Sequence, residues 1–185
     1  MAKRPTRIGL IGAGVVAQVN HLPALKARRD VEVLALCDDD VEKARMVAQR
    51  FGIGRAVSDY EALLRNDELD AVIIATPNHL HAPMTQAALG YGKHVLCEKP
   101  PARNAAEAEQ MAEAAKRAGT VLFYAMNFRF RTDVQMLRGY MERRELGTIF
   151  YAKTGWLLRR TETRRASWYR NKRSAGGGVL IDMGV

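Results

Sequence analysis

Arg7-Ile8-Gly9-Leu10-Ile11-Gly12-Ala13-Gly14-Val15-Val16-Ala17 decides the architecture of this chain. An apolar run enters a glycine turn, and the turn opens a helix. Gly12 permits the tight turn, Gly14 lets the backbone approach a pyrophosphate, and Ala17 keeps helix and strand close where a third glycine often stands. Val15 and Val16 carry the first helical amides, whose N–H groups face phosphate charge. The glycine spacing alone is a weak signal. Here a strand precedes it, a helix follows, and a second apolar run comes next. That run ends at Asp38, 24 positions past Gly14. A carboxylate placed there can accept hydrogen bonds from the hydroxyls of an adenosine ribose, and Asp39 and Asp40 beside it would repel a 2′-phosphate. The pattern therefore favours NAD over NADP.

Outward from this stretch, short apolar runs alternate with helical periodicity, the mark of βαβ units. Candidate strands are 7–11, 31–37, 55–57, 71–75, 94–97 and 121–125. Their unbroken apolar character suits strands covered on both faces, as in a parallel sheet between helical layers. Candidate helices are 15–28, 41–51, 60–65, 80–90 and 105–118. Ser58 with Glu61 and Asn104 with Glu107 read as capping boxes. Gly52 and Gly119 stand where helix ends want a left-handed residue, and Pro23 is expected to kink or split the first helix. The expected fold is α/β: a doubly wound parallel sheet over residues 1–126, then the start of a second α/β open-sheet domain over 127–185. In that second part a basic helix is expected at 133–144 and a longer strand at 149–158. A glycine turn, Gly176-Gly177-Gly178, opens a last helix carrying Asp182.

Composition narrows the function classes. At 48% apolar and 26% charged the chain is that of a globular protein, and no run approaches the roughly eighteen apolar residues of a membrane span. The expectation is a cytoplasmic protein with no membrane partner. Cys37 and Cys97 each end an expected strand and read as reduced, buried thiols, with no disulfide framework and no metal site. The net charge of +9 is uneven: residues 1–127 hold 16 basic and 15 acidic side chains, whereas residues 128–173 hold 13 and 4. That basic block, with Trp156, Trp168 and Tyr169 among its arginines, has the look of a nucleic-acid surface. Its position between two enzyme-like stretches favours a role toward an anionic substrate or an acidic protein surface, with no nucleic-acid partner.

Two further segments end strands at the edge of the sheet where doubly wound folds bind ligands. One is Thr76-Pro77-Asn78-His79-Leu80-His81; the other is Cys97-Glu98-Lys99-Pro100. A lysine held there can bring its ammonium near a reacting hydroxyl and ease loss of the proton. Asn127 and Arg129, after the sixth strand, are candidates for cofactor or substrate contact. The residue following Val185 would lie four positions beyond Asp182, on the same helical face, so the chain is expected to be cut through a catalytic helix.

These segments together resemble the glucose-fructose oxidoreductase, inositol dehydrogenase and rhizopine-catabolism family, written Gfo/Idh/MocA. The resemblance rests on Gly12–Ala17, Asp38, Thr76–His81, Glu98-Lys99-Pro100, Asn127-Phe128-Arg129-Phe130 and the stretch from Gly176 to Gly184. It implies a Rossmann domain followed by an open-sheet domain that often forms a dimer interface. It also implies hydride transfer between NAD or NADP and a sugar, polyol or related hydroxy compound. Lys99 would be the active-site lysine, and Asp182 the aspartate one turn before a catalytic histidine that falls just past Val185. Both would serve catalysis. Cofactor contacts are expected from Gly12, Gly14, Val15, Val16, Asp38, Thr76, Pro77, Asn78, His81, Glu98, Lys99 and Asn127, and substrate contacts from Lys99, Arg129, Trp168 and Asp182. As it stands, the chain would bind dinucleotide without useful turnover, the intact enzyme being a homo-oligomer. The alternatives are a non-catalytic dinucleotide sensor, or NAD-assisted glycoside hydrolysis or elimination within the same family.

Overall fold

The computed structural model describes residues 4–155, 157 and 168–184. Six strands form one sheet: β1 (Thr6–Ile11), β2 (Val31–Cys37), β3 (Arg55–Val57), β4 (Ala71–Ile74), β5 (His94–Glu98) and β6 (Leu122–Ala125). Their order is β3-β2-β1-β4-β5-β6, every neighbouring pair parallel. The chain winds outward from β1 to β3, then crosses back to start the other half at β4. That reversal leaves a crevice at the carboxyl ends of β1 and β4, the place where such sheets take ligands.

The helices between strands are α1 (Leu22–Lys26), α2 (Val41–Phe51), α3 (Tyr60–Leu64), α4 (Asn78–Gly90) and α5 (Ala105–Ala118). They divide the core into two apolar layers. Ile11, Val72, Ile74, Val95, Leu89 and Met111 lie in one; Leu10, Leu22, Leu36, Val47 and Ile73 lie in the other. Side chains of successive strand residues point to opposite faces, so the unbroken apolar runs at residues 8–11, 33–37 and 71–74 are what two covered faces require. Cys37 and Cys97 are buried, free thiols, and burial pushes both up to about 12.

Local details depart from the sequence reading in informative ways. Pro23 neither breaks nor splits the first helix. A π-turn, Ala17–His21, runs straight into α1, with the Leu22 N–H donating to the Ala17 carbonyl. The wider turn absorbs the residue that cannot donate. Gly52 and Gly119 do take left-handed conformations, at φ of 60° and 64°. At α3 the cap is Asp59, whose carboxylate accepts the Glu61 N–H, rather than Ser58. At α5 Asn104 accepts from the Glu107 N–H as expected, but the Glu107 carboxylate reaches the Arg103 N–H instead of that of Asn104.

After β6 come a 3₁₀ turn at Asn127–Phe130, α6 (Thr132–Glu142), a 3₁₀ turn at Trp168–Arg170, α7 (Lys172–Ala175) and α8 (Val179–Met183). The strand expected at 149–158 is not there: residues 149–155 and 157 take no regular structure, and Phe150 and Leu157 are fully exposed. Its apolar run has no neighbouring strand among the described residues, and a lone strand cannot satisfy its backbone or bury its apolar face. The arginines at 159–165 and Trp156 lie outside the described residues.

Candidate functional site

The glycine turn is shaped as its letters suggest. Gly12 sits at φ +102°, and a Cβ there would fall 2.5 Å from the Ala75 carbonyl oxygen. The turn therefore presses against the end of β4 with no room for a side chain. Around Gly14 nothing lies within 4 Å of a would-be Cβ, so its open face looks onto space. That space is a crevice of about 740 Å³ lined by Gly12, Gly14, Val15, Val16, Asp38 and Thr76, and on its far wall by Glu98, Lys99 and Asp182. The helical run that starts at residue 15 directs its first amides there. Two buried polar atoms on the wall, Thr76 Oγ1 and His79 Nδ1, have no hydrogen-bond partner among the described residues. Buried polar atoms are rarely left unpaired. Open glycine face, helix start and orphaned polar atoms fit a dinucleotide.

Asp38 is buried in the wall of this crevice. Its Oδ2 accepts the Ala13 N–H at 2.7 Å and its Oδ1 the Asp40 N–H at 3.1 Å, while the Lys43 ammonium stands 2.6 Å from Oδ1. Burial alone would raise its carboxyl pKa, but Lys43 and the two amides outweigh that and hold it below the usual carboxylate range. The ionised oxygens keep lone pairs for further donors.

On the far wall, Lys99 and Asp182 meet across 83 residues. The Lys99 ammonium donates to Asp182 Oδ1 at 2.8 Å and to the Asp182 carbonyl oxygen at 2.5 Å. A second cavity, of about 1000 Å³, opens beyond α8 and is lined by Asp182, Gly177, Gly178, Arg131 and Thr154. Asp182 and Met183 line both spaces, so the charged pair stands where they join.

Three sequence candidates find different surroundings from those expected. His81 is buried beneath the crevice instead of lining it. Its Nδ1 lies 2.7 Å from the Pro100 carbonyl oxygen and its Nε2 2.9 Å from that of Thr76, so the neutral ring donates to one of the two wall loops and packs against the other. Asn127 and Arg129 are exposed on the 3₁₀ turn after β6 and line neither cavity; the chain turns away from the sheet edge before reaching them. Pro77 lines the crevice, and so does Trp168, stacked on Tyr169 with ring centroids 3.8 Å apart. Asn78 also borders it, yet its amide donates at 2.9 Å to the Ala175 carbonyl oxygen, 97 residues away. That bond seats the glycine turn leading to Asp182. Arg103 adds a second anchor, donating to the Arg173 carbonyl oxygen at 3.0 Å. Gly176, at φ +84°, packs so closely over it that a Cβ would fall 2.9 Å from the Arg103 Cα. These anchors, like the pairing of His21 with Glu98 at 2.8 Å, had no local signal in the sequence.

Burial lowers the His81 pKa, although the contacts to the Pro100 and Thr76 carbonyls pull the other way. An unfolded imidazole takes a proton near pH 6.5; the folded one does so only at lower pH. Between those two values the unfolded chain binds more protons. Stability is therefore expected to fall as pH drops below about 6.5, by up to about 1.4 kcal/mol per pH unit, until the folded ring also protonates. Urea melts of the native chain and of His81→Gln between pH 7.5 and 5 would show it: the slope attributable to this ring disappears in the variant.

The geometry agrees with comparison to known proteins. The model of the Gfo/Idh/MocA family, described as an oxidoreductase family with an NAD-binding Rossmann fold, matches residues 6–126. The chain belongs to this family. Among relatives of the Gfo/Idh/MocA chain is a D-glucoside 3-dehydrogenase of Escherichia coli, 37% identical over all of the chain and 52% of the relative. Among solved structures, GenD2 from gentamicin A biosynthesis in complex with NAD superposes with a TM-score of 0.85 at 28% identity, covering 98% of this chain and 51% of that one. The 3-ketoreductase KijD10 of Actinomadura kijaniata, with NADP and TDP-benzene, superposes with a TM-score of 0.83 at 30% identity, covering 98% and 55%. The chain spans about half the length of the curated relatives it matches. No helix among the described residues is long and apolar enough to cross a membrane.

Proposed function

We propose that this chain supplies the cofactor-binding half of an NAD-dependent oxidoreductase acting on a hydroxyl of a sugar, polyol or related compound. The observation that carries this reading is the Lys99–Asp182 pair, standing at the junction of the crevice under the glycine turn and the larger cavity beyond it. Gly12, Gly14, Val15 and Val16 would receive the pyrophosphate, Asp38 the adenosine ribose, and Thr76 and Pro77 the stretch leading to the junction. When bound, the nicotinamide supplies the acceptor or donor of hydride. The chain's own residues manage charge. The Lys99 ammonium stabilises the alkoxide that forms as the substrate hydroxyl gives its proton to a base supplied by the rest of the enzyme, and the Asp182 carboxylate keeps that ammonium in place and can bind a neighbouring hydroxyl. Trp168, stacked at the edge of the crevice, offers an aromatic face to a sugar ring.

NAD is favoured over NADP because a 2′-phosphate would meet the Asp38 and Asp39 carboxylates, while the Lys43 ammonium that could answer it is already held by Asp38. Calorimetry is expected to show NAD binding about tenfold or more tighter than NADP, the discrimination of ~1.4 kcal/mol that one unfavourable charge contact readily supplies. Equal affinities would overturn the preference. Binding of neither would overturn the whole assignment.

A further inference from the structure

Glu98 and Asp182 line the same crevice as Lys99, and among the described residues the ammonium pairs with one of them. Asp182 is that partner, at 2.8 Å. Glu98 lines the same crevice and precedes Lys99 in the chain, yet its side chain is turned the other way. Its Oε1 lies 2.8 Å from His21 Nε2, and its Oε2 accepts the Lys99 backbone N–H at 3.1 Å. His21 reaches it from 77 residues away, at the end of the π-turn that precedes Pro23. Turns of this kind are frequent at functional sites. Both members of the pair are largely buried, at 14% and 16% side-chain exposure, so an unpaired Glu98 carboxylate would seek another cation. Lys43 and Lys99 line the same space, and Lys43 is already held by Asp38, which leaves the Lys99 ammonium.

We propose that His21 is a positioning residue for Lys99. By occupying the Glu98 carboxylate, it keeps that acid off the Lys99 ammonium and leaves the ammonium aimed at Asp182 and the junction of the cavities. Glu98 in turn holds the Lys99 backbone through its N–H. This rests on the reading of Lys99 as the charge at the reacting centre, and its test needs neither substrate nor turnover.

The Lys99 side chain is 31% exposed, so its amine can be followed by competitive acetylation with acetic anhydride and mass spectrometry on the whole chain. An ammonium held by a second carboxylate must break that contact before its nitrogen can attack the anhydride, so capture slows labelling. His21→Ala is expected to slow Lys99 labelling by about tenfold, and His21→Gln, which can still donate to Glu98, to leave it near the native rate. Adding Glu98→Gln to His21→Ala removes the competing charge and is expected to restore the native rate. Mere loosening of the loop would speed labelling. An unchanged or faster rate in His21→Ala, or a double variant as slow as the single one, would overturn the proposal. NAD calorimetry on the same proteins separates this from a failure of the oxidoreductase reading, since loss of binding in the native chain bears on that reading alone.

Discussion

Lys99→Met is expected to lower turnover of the intact enzyme roughly 10²- to 10³-fold, the loss typical when one preorganised donor is removed from a developing oxyanion. The variant should still bind NAD with near-native affinity, because the glycine turn, Asp38 and Thr76 stand on other elements. Binding and turnover thus separate. Methionine keeps the length and apolar stem of lysine but cannot donate to Asp182, so the carboxylate at the cavity junction loses the ammonium that now lies 2.8 Å away. Asp182→Asn should produce a smaller loss, since an amide can still meet the ammonium through its oxygen while the pair no longer carries opposite charges. The measurement is kcat over a panel of sugars and polyols, set beside calorimetry with NAD. Near-native turnover in Lys99→Met would remove that residue from the mechanism. Lost NAD binding would mean that it holds cofactor instead.

The second large effect lies at the glycine turn, where two glycines two residues apart should fail in different ways. Gly12→Ala puts a methyl group 2.5 Å from the Ala75 carbonyl oxygen and asks alanine to hold φ +102°. Backbone strain of that kind costs on the order of 1–3 kcal/mol before the clash is relieved, and relief means prising the turn away from the end of β4. Thermal stability and NAD affinity should fall together, affinity by about 100-fold if roughly 2.7 kcal/mol of binding is lost. Gly14→Ala meets nothing within 4 Å, so its melting temperature should stay close to native. Its methyl group instead occupies the face that the pyrophosphate needs, and affinity alone should fall. Differential scanning fluorimetry with and without NAD distinguishes the two. A Gly14→Ala chain that binds NAD normally would place the phosphates elsewhere.

The contrast between those two glycines shows where sequence reasoning works. Residues 12–17 owe their conformation to the glycine turn and the helix start, so their spacing carries their structure even though the turn also packs against Ala75: the turn, the helix start and Asp38 were all legible. The same holds for α2 and α5, whose apolar periodicity and terminal glycines are local. Reading weakened wherever the deciding partner is distant. Pro23 looked like a helix breaker because the compensating π-turn is a tertiary choice. Residues 149–158 looked like a strand because an apolar run says what a segment could do, not whether a neighbour exists to pair with it. His81 looked like a cofactor ligand, since nothing in Thr76–His81 reveals that the Pro100 carbonyl lies 2.7 Å from its ring.

By itself, then, the order of residues determined the winding of the sheet, the shape of the phosphate turn and the acid at the end of β2, because each is written in local patterns of apolar runs, turn glycines and helical periodicity. Tertiary structure alone decided which charges face one another. Lys99 meets Asp182, His21 meets Glu98, and Asn78 seats Ala175, across 83, 77 and 97 residues respectively. The physical reason is that hydrogen bonds and ion pairs act over a few ångströms of space. Separation along the chain says nothing about such distances until the helices have packed against the sheet.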